Sequence, residues 1–533
     1  MNISHLKYPG RVVLVGLACG LVGDLLMYDQ PLGVSLPILI LVLVIGLLVL
    51  ALIEKTALTL SNLWLIVPLL TLSAFSAIRA EPLLRFMNIV GALGLALLLA
   101  NRTAGAPLLS LHFGGYALAW LESAFGSLIM PFALLSRVAA ANRENGHTNR
   151  AVAGRILVGI AIALPFLIVF AVLFSSADLV FGKWMDEIVE AIKIPDLIGH
   201  AFLTLVLGWL AMGGLAYALT RVIGGSFVKV NLTAPHAAEA SGDAESKPAA
   251  EPEKSFTLNG ILGSIETSVV LFSIDVLFAI FVGIQFAALF GREEFIRNQG
   301  ITYSEYARRG FFELLAVSII TLGLVLILEF LARRETSRQQ VVFLVGSGLM
   351  IGMAIVILAS AFERMQLYEE AYGFTQLRVY PHIFMVWLAI LFAAFLACLI
   401  TQRVKWFATA VLVFCMGYVI TMDVLNPDAF IVQQNIERFR AGNQEFDVEY
   451  LGSLSEDAIP YLMPLLTDYG DDVRGRIGPW LKWHLLQLDE RQKKTGIGAY
   501  HWGINQAYSI LDQRREEIEA FDLDDMRYSM ARD

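Results

Sequence analysis

The sequence predicts an all-α, polytopic transmembrane helix bundle of about 11–12 spans, with interfacial amphipathic helices and a helical, acidic C-terminal soluble tail. Hydrophobic residues make up 57% of the 533 residues and charged residues only 16%, whereas a soluble domain carries roughly 25% charged residues. The mean hydropathy is +0.65, and apolar runs long enough to cross a bilayer recur along the chain. These observations exclude a secreted disulfide scaffold, a nucleic-acid binder and a coiled coil.

Eleven apolar runs form the predicted spans. They are Val12–Met27, Val34–Ile53, Leu63–Ile78, Asn88–Ala100, Ile156–Phe174, Ile198–Leu219, Val269–Phe290, Phe311–Leu331, Val341–Phe362, Ile383–Ile400 and Phe407–Met422. The stretch Gly114–Leu135 is weaker because it contains Glu122 and two serines. It is either a twelfth span or an interfacial helix, and we expect the latter because eleven spans keep Lys7 and Arg11 inside.

Basic residues in the connections predict the orientation, since cytoplasmic loops are enriched in Lys and Arg. Four connections alternate on one side, namely Arg137–Arg155, Arg221–Lys254, Arg333–Arg338 and Arg403–Lys405. They contain 13 basic residues against 8 in the connections between them. The tail is therefore expected on the extracytoplasmic face of a multi-pass protein.

Composition divides the chain into four parts: an N-terminal membrane half (1–232), a linker (233–254), a C-terminal membrane half (255–424) and the tail (425–533). The linker is rich in Ala, Glu and Pro and is expected to be disordered. From Leu425 to Asp533 the chain has 12 Lys and Arg against 20 Asp and Glu, which argues against nucleic acid as a partner. Asn426-Pro427-Asp428 is a typical helix start, and Ser455 precedes a second amphipathic helix.

Polar motifs follow four of the predicted spans, at Ser175–Phe181, Gly291–Leu314, Glu363–Arg378 and Leu425–Arg438. By the alternation of spans all four lie on one face of the membrane. Acids, arginines and tyrosines that are distant in the sequence are therefore expected to converge on one surface.

The motifs SADLVF, YSEYARRGFFEL, ERMQLYEEAYGFTQLR and LNPDAFIVQQNIER resemble those of the bacterial membrane proteins grouped as domain of unknown function 4173. The resemblance covers roughly Ile156–Arg440. It implies a polytopic protein of a bacterial cytoplasmic membrane with no established activity, and it supplies no catalytic residue.

The candidate functional residues fall into three groups, each with a structural alternative. Asp24 and Asp275 lie inside apolar runs, where a carboxylate either bonds a neighbouring helix or takes part in a proton or cation relay. Boundary residues form interfacial ion pairs or an anion or lipid-headgroup site; they are Glu305, Arg308, Arg309, Glu313, Arg364 and Arg378. The remaining motif candidates are Asp178, Tyr368, Tyr372, Asn426, Asp428 and Arg438, of which the tyrosines also suit an interfacial aromatic belt.

The sequence favours three functions in decreasing order. The first is a membrane scaffold or signalling partner, whose motif face and tail dock an envelope or sensor protein beside the lipid bilayer. The second is a transporter or channel that uses Asp24 and Asp275, and the third is an outer-leaflet enzyme that uses Asp178 or Asp428. No P-loop, Rossmann glycine pattern, HExxH or CxxC occurs, so no cofactor or metal is expected and an enzyme is disfavoured.

Overall fold

The computed structural model describes residues 6–56, 58–103, 107–144, 183–184, 187, 195–220, 263–298, 311–442, 446–493 and 496–523. These residues contain helices and no strand, and ten of the helices are long and apolar enough to cross a membrane. The chain is therefore an all-α, multi-pass integral membrane protein, as the composition predicts. It divides into two compact units, Met1–Gly225 with Cys415–Asp533, and Ser226–Phe414.

The α-helices of the described residues are as follows, in chain order. They are α1 Pro9–Met27, α2 Ser35–Glu54, α3 Ile66–Phe75, α4 Pro82–Arg102, α5 Phe113–Glu144, α6 Pro195–Thr220, α7 Ser264–Asn298, α8 Phe311–Leu331, α9 Ser337–Tyr372, α10 Gln376–Ile400, α11 Lys405–Leu425, α12 Pro427–Arg440, α13 Val448–Gly452, α14 Ile459–Leu462, α15 Pro464–Thr467, α16 Asp471–Gln492, α17 Trp502–Asp512 and α18 Arg515–Glu519. The predicted run Ile156–Phe174 and the linker 233–254 lie outside the described residues.

Helices α1 and α6 of the first unit pack closely and antiparallel, because glycines line their contact. Gly16 faces Met212, and a Cβ at Gly20 would lie 2.3 Å from the carbonyl oxygen of Thr204. At the other end of the pair, Gly199 faces Tyr28. Small residues let backbones approach in membranes, where close packing replaces the hydrophobic effect between helices.

Helix α5 packs along α6 and corresponds to the weak stretch Gly114–Leu135. Trp209 Nε1 donates a 3.0 Å hydrogen bond to the Leu128 carbonyl, and the ring of Phe132 lies 4.7 Å from that of Trp209. Its segment Phe113–Val138 has the length and hydropathy of a span. This packing favours a further span over the interfacial helix that we expected.

The direction of α5 contradicts the predicted side of the connection that begins at Arg137, which we expected on the face opposite the tail. Along α5, residues 126, 127 and 132 meet residues 217, 213 and 209 of α6, so α5 ends where α6 begins. We call this end of the first unit the tail end, because Tyr28, Ile78 and the C-terminal tail also lie there. The connection that follows Arg137 therefore leaves from the side of the tail, not from the opposite side.

With Arg137 on the side of the tail, the basic residues near the described ends of the membrane helices α1–α5 are balanced. Four lie at the tail end and four at the other end: Arg79, Arg85, Arg137 and Arg143, against Lys7, Arg11, Lys55 and Arg102. These residues no longer distinguish the cytoplasmic face.

The tail is helical, as predicted, and is packed onto the ends of the membrane helices. The Val34 N–H donates to the Tyr500 carbonyl at 2.8 Å, and the Trp502 N–H donates to the Ala77 carbonyl at 2.8 Å. Gly498 contacts the backbone of Leu26 so closely that a Cβ would lie 1.8 Å from its carbonyl oxygen. Backbone hydrogen bonds and tight contacts thus hold the tail against α1, α2 and the turn after α3.

The second unit is a separate bundle around the long helix α9. Thr336 begins α9 with a capping box, in which its side chain and that of Gln339 satisfy each other's backbone N–H groups. Met350, Phe392, Phe395 and Phe407 are fully buried in its core.

Candidate functional site

The junction between the tail and the membrane helices is built around Asp457. Its Oδ2 accepts hydrogen bonds from the Ala80 N–H at 2.7 Å and the Glu81 N–H at 3.4 Å. Glu81 in turn caps α4 by accepting from the N–H groups of Leu83 and Leu84. The first N–H groups of a helix have no partner inside the helix, so the tail and Glu81 together satisfy the start of α4.

A second polar contact lies one turn deeper, between α4 and α11. Asn88 Nδ2 donates to Asp423 Oδ1 at 2.7 Å, and Arg79 Nε donates to the Asp423 carbonyl at 2.6 Å. Asn88 and Asp423 are both fully buried. Asp423 Oδ2 has no hydrogen-bond partner within the described residues, so this carboxylate has one unused acceptor beside Arg79.

These contacts border a cavity of about 370 Å³, which we call the junction cavity. Its walls come from the turn before α4, from α11 and α12, and from the tail. The side chains that line it are mostly polar and include Arg79, Asn426, Gln433, Glu456, Asp457 and Gln506. Trp502 and Tyr461 add two aromatic rings.

The electrostatics of the junction follow from burial. Burial raises the pKa of Asp457 to about 6, against the opposing effects of the Ala80 N–H and Arg79. Burial also lowers the pKa of His501 to about 3, with Arg85 and Arg491 adding to the shift. At neutral pH the junction therefore contains an ionised Asp457 and a neutral His501.

The fourth sequence motif contributes to this junction, as two of its three candidate residues show. Asn426 precedes α12 with a φ of 53° and makes no side-chain cap, and it lines the junction cavity. Asp428 is fully buried and accepts from the Ser455 N–H at 3.0 Å and Oγ at 2.6 Å. This position ties α12 to the tail. Arg438 is half-buried further along α12 and does not line the cavity.

Asp24 forms a second polar site at the tail end, on the contact between α1 and α6. Its Oδ2 lies 2.9 Å from His200 Nδ1, and its Oδ1 is buried without a hydrogen-bond partner among the described residues. The ring of Tyr28 lies 3.8 Å from that of His200. The Asp24 side chain is 5% exposed and that of His200 is 40% exposed, so the imidazole connects a buried carboxylate with the surface.

In the second unit, Asp275 faces the neighbouring helix α9. It is buried on α7, close to Gly346, and its Oδ1 has no hydrogen-bond partner within the part of the chain that the structure describes. This placement matches the expectation that an intramembrane acid faces a neighbouring helix.

The third sequence motif forms the turn between α9 and α10 of the second unit. The guanidinium of Arg378 lies over the ring of Tyr368 at 4.2 Å, and Tyr368 and Tyr372 are in edge contact at 5.2 Å. Beside them Glu369, which is buried, pairs with His382 at 2.7 Å. Sequence reasoning missed this pair because its members are thirteen positions apart and lie on two different helices, α9 and α10.

The other sequence candidates are dispersed or lie outside the described residues. Glu313 is exposed in the first turn of α8, and Arg364 is half-buried on α9. Asp178, Glu305, Arg308 and Arg309 lie outside the described residues. Among the residues that the structure describes, no group of three or more His, Cys, Asp or Glu side chains is arranged to hold a metal ion.

Comparison with known proteins gives one match. The family described as "Domain of unknown function (DUF4153)" matches residues 65–465, about three quarters of the chain. The motifs correctly indicated a family of unknown function, but its number is 4153 and not 4173. No curated protein matches the chain, and no solved structure matches it.

Proposed function

Because the chain belongs to the family Domain of unknown function (DUF4153), whose description states no activity, we propose its function from geometry: it is a membrane scaffold or signalling partner. The observation that carries this proposal is the fixed attachment of the tail. We also propose a bacterial cytoplasmic membrane as its location, which the motif resemblance implies.

The attachment supports a docking role because it presents the tail in one orientation. Three hydrogen bonds join the tail to the membrane helices. The Val34 N–H donates to the tail, the Ala77 carbonyl accepts from the tail, and the Asp457 carboxylate of the tail accepts from the Ala80 N–H. A surface that is already ordered loses little entropy when a partner binds. On α16 this surface includes Asp472, whose side chain is 87% exposed, and Trp483, which is 37% exposed, so we expect an envelope or sensor protein to bind there.

Photo-crosslinking in cells tests the docking role. Crosslinking residues replace Asp472 and Trp483 on α16 and, as a control, Leu52, which is 75% exposed on a membrane helix. We expect the same discrete protein adduct from both α16 positions and lipid adducts only from position 52. The adduct should persist in Gly475→Ala and weaken in Gly498→Ala, which displaces the tail. Absence of any protein adduct from both α16 positions would contradict the scaffold role.

A second candidate function, proton-linked transport, is favoured by Asp24 and His200. A carboxylate and an imidazole in contact at 2.9 Å exchange a proton readily, and chains of such groups mark relays in transporters. The ring of Tyr28 lies against the His200 imidazole and covers one side of it.

Proton flux into liposomes that contain the purified protein tests this candidate. Asp24→Asn and His200→Gln should both lower a pH-dye signal by tenfold or more. Glu335→Gln, at an exposed site in the second unit, is the control and should leave the flux unchanged. An equal flux in all three variants and in protein-free liposomes would eliminate transport through this pair.

A further inference from the structure

The junction cavity lies at the membrane boundary, and its two sides differ in polarity. On the membrane side it is bordered by Ile78, which follows α3, and by Val424 and Leu425, which end the span α11. Val424 is 69% exposed, which places a lipid-facing apolar side chain beside the opening. On the tail side the walls include most of the polar side chains, among them Gln433, Glu456 and Gln506. The cavity therefore has an apolar border and a more polar side, as the headgroup region of a bilayer does.

One cationic group in the cavity has hydrogen-bonding capacity left. Arg79 uses its Nε for the Asp423 carbonyl, and its two Nη groups make no hydrogen bond to the described residues. A guanidinium presents several N–H donors in a plane, a geometry that matches the oxygens of a phosphate.

Two carboxylates face the same space. Asp457 binds the start of α4 through Oδ2 only, and its Oδ1 lies where a Cβ at Gly503 would be 2.5 Å away. The side-chain carboxylate of Glu456 makes no hydrogen bond to the described residues. With Trp502, which is 60% exposed, these groups suit an alkylammonium, since carboxylates and aromatic faces both attract such cations.

We infer that the junction cavity binds the zwitterionic headgroup of a phospholipid, an alkylammonium joined to a phosphodiester as in phosphatidylethanolamine. Arg79 holds the phosphate, while Glu456, Asp457 and Trp502 hold the ammonium.

The lining contains two carboxylates and one guanidinium, and Arg85 and Arg491 lie behind Glu456, with which they interact electrostatically. The site therefore has charges of both signs, which suits a zwitterionic headgroup better than an anionic one. The apolar border at Val424 receives the first carbons of the acyl chains. This assignment is independent of a partner protein.

Lipid binding to the purified, delipidated full chain tests the inference. The dissociation constant is measured by native mass spectrometry for short-chain phosphatidylethanolamine, phosphatidylglycerol and a neutral glycosyl diacylglycerol, and for soluble glycerophosphoethanolamine. We expect phosphatidylethanolamine to bind at least tenfold more tightly than the other two lipids. The soluble headgroup should bind more weakly than the lipid because it lacks acyl chains.

Variants of the cavity identify the residues involved. Arg79→Gln, Glu456→Gln and Trp502→Ala should each weaken phosphatidylethanolamine binding by about tenfold or more. The matched controls Arg333→Gln and Glu490→Gln change exposed residues elsewhere and should leave it unchanged. If Arg79→Gln does not fold, Glu456→Gln and Gln506→Ala replace it in the test. We expect both variants to fold because neither side chain forms a hydrogen bond to a helix end.

Four results would overturn the inference. Equal or tighter binding of phosphatidylglycerol would show an anion site, and preference for the glycolipid would show a sugar site. Binding that is unchanged in Glu456→Gln and in Gln506→Ala would place the lipid elsewhere. Equal affinity for glycerophosphoethanolamine and for the lipid would assign the cavity to a soluble ligand.

Discussion

The amide of Asn88 donates a 2.7 Å hydrogen bond to the carboxylate of Asp423, although 335 positions separate the two residues. This bond joins α4 to the last turns of α11 and lies directly beneath the tail. A buried polar pair of this kind is satisfied only when both helices are in place. It therefore couples the packing of α4 to that of α11, at the end of the bundle on which the tail lies.

Removal of the amide should destabilise the first unit. Asn88→Val leaves the Asp423 side chain without its donor, and interhelical hydrogen bonds in membranes contribute about 0.6–2 kcal/mol. We expect a lower melting temperature for Asn88→Val in detergent. In a double-mutant cycle with Asp423→Val, the two substitutions should be less than additive. Thr401→Val, at an exposed intrahelical bond in the second unit, serves as the control, and full additivity would show that the pair is not coupled.

The sequence predicted the class of fold correctly because its long apolar runs must cross a bilayer, where a helix satisfies every backbone N–H and carbonyl group internally. It also predicted the start of α12 at Pro427 and a helical tail. It did not predict the pairing of Asn88 with Asp423 or of Asp24 with His200, because helical periodicity identifies faces within one helix and says nothing about its neighbours. The side of Arg137 was misassigned for a related reason: the count of spans depended on Gly114–Leu135, whose serines and Glu122 lower its hydropathy.

The attachment of the tail should depend on a single glycine. A Cβ at Gly498 would lie 1.8 Å from the Leu26 carbonyl oxygen, so Gly498→Ala must move the tail away from α1. We expect limited proteolysis to cut the tail of this variant much faster than that of the wild type.

Gly475 provides the matched control for Gly498. It lies inside α16, and a Cβ added there would meet no atom within 4 Å. Alanine also favours a helix over glycine by about 1 kcal/mol. Gly475→Ala should therefore be as resistant as the wild type or more so. Equal cleavage of both variants would contradict the tight contact at Leu26.

Cysteine labelling should place the end of α5 and the tail on the same side of the membrane. The background lacks Cys19, Cys398 and Cys415, and single cysteines replace Asn142 after the α5 span, Asp472 in the tail and Ser61 at the opposite end. We expect a membrane-impermeant maleimide to label Asn142→Cys and Asp472→Cys from one side, and Ser61→Cys from the other. Labelling after permeabilisation controls for reactivity. If Asn142→Cys labels together with Ser61→Cys, the direction of α5 is wrong.

The junction should lose stability in acid because of His501. Its pKa is about 3 in the folded protein and about 6.5 when unfolded, so below pH 6.5 the unfolded state binds the additional proton. At about 1.4 kcal/mol per pH unit, the contribution of His501 to the free energy of unfolding falls by about 2 kcal/mol between pH 6.5 and pH 5. Asp457 acts in the opposite direction, because its raised pKa of about 6 makes the folded state bind protons as the pH falls from 6 towards 4.

The variant His501→Asn separates these two contributions. Asparagine retains an acceptor for the Ile504 N–H, which His501 Nδ1 accepts at the start of α17, but it does not titrate. As the pH is lowered from 6.5 to 5, we expect the melting temperature of the wild type to fall more than that of the variant. The same comparison in Asp457→Asn should show the opposite trend. A difference between His501→Asn and wild type that is independent of pH would show that folding does not lower the pKa of His501.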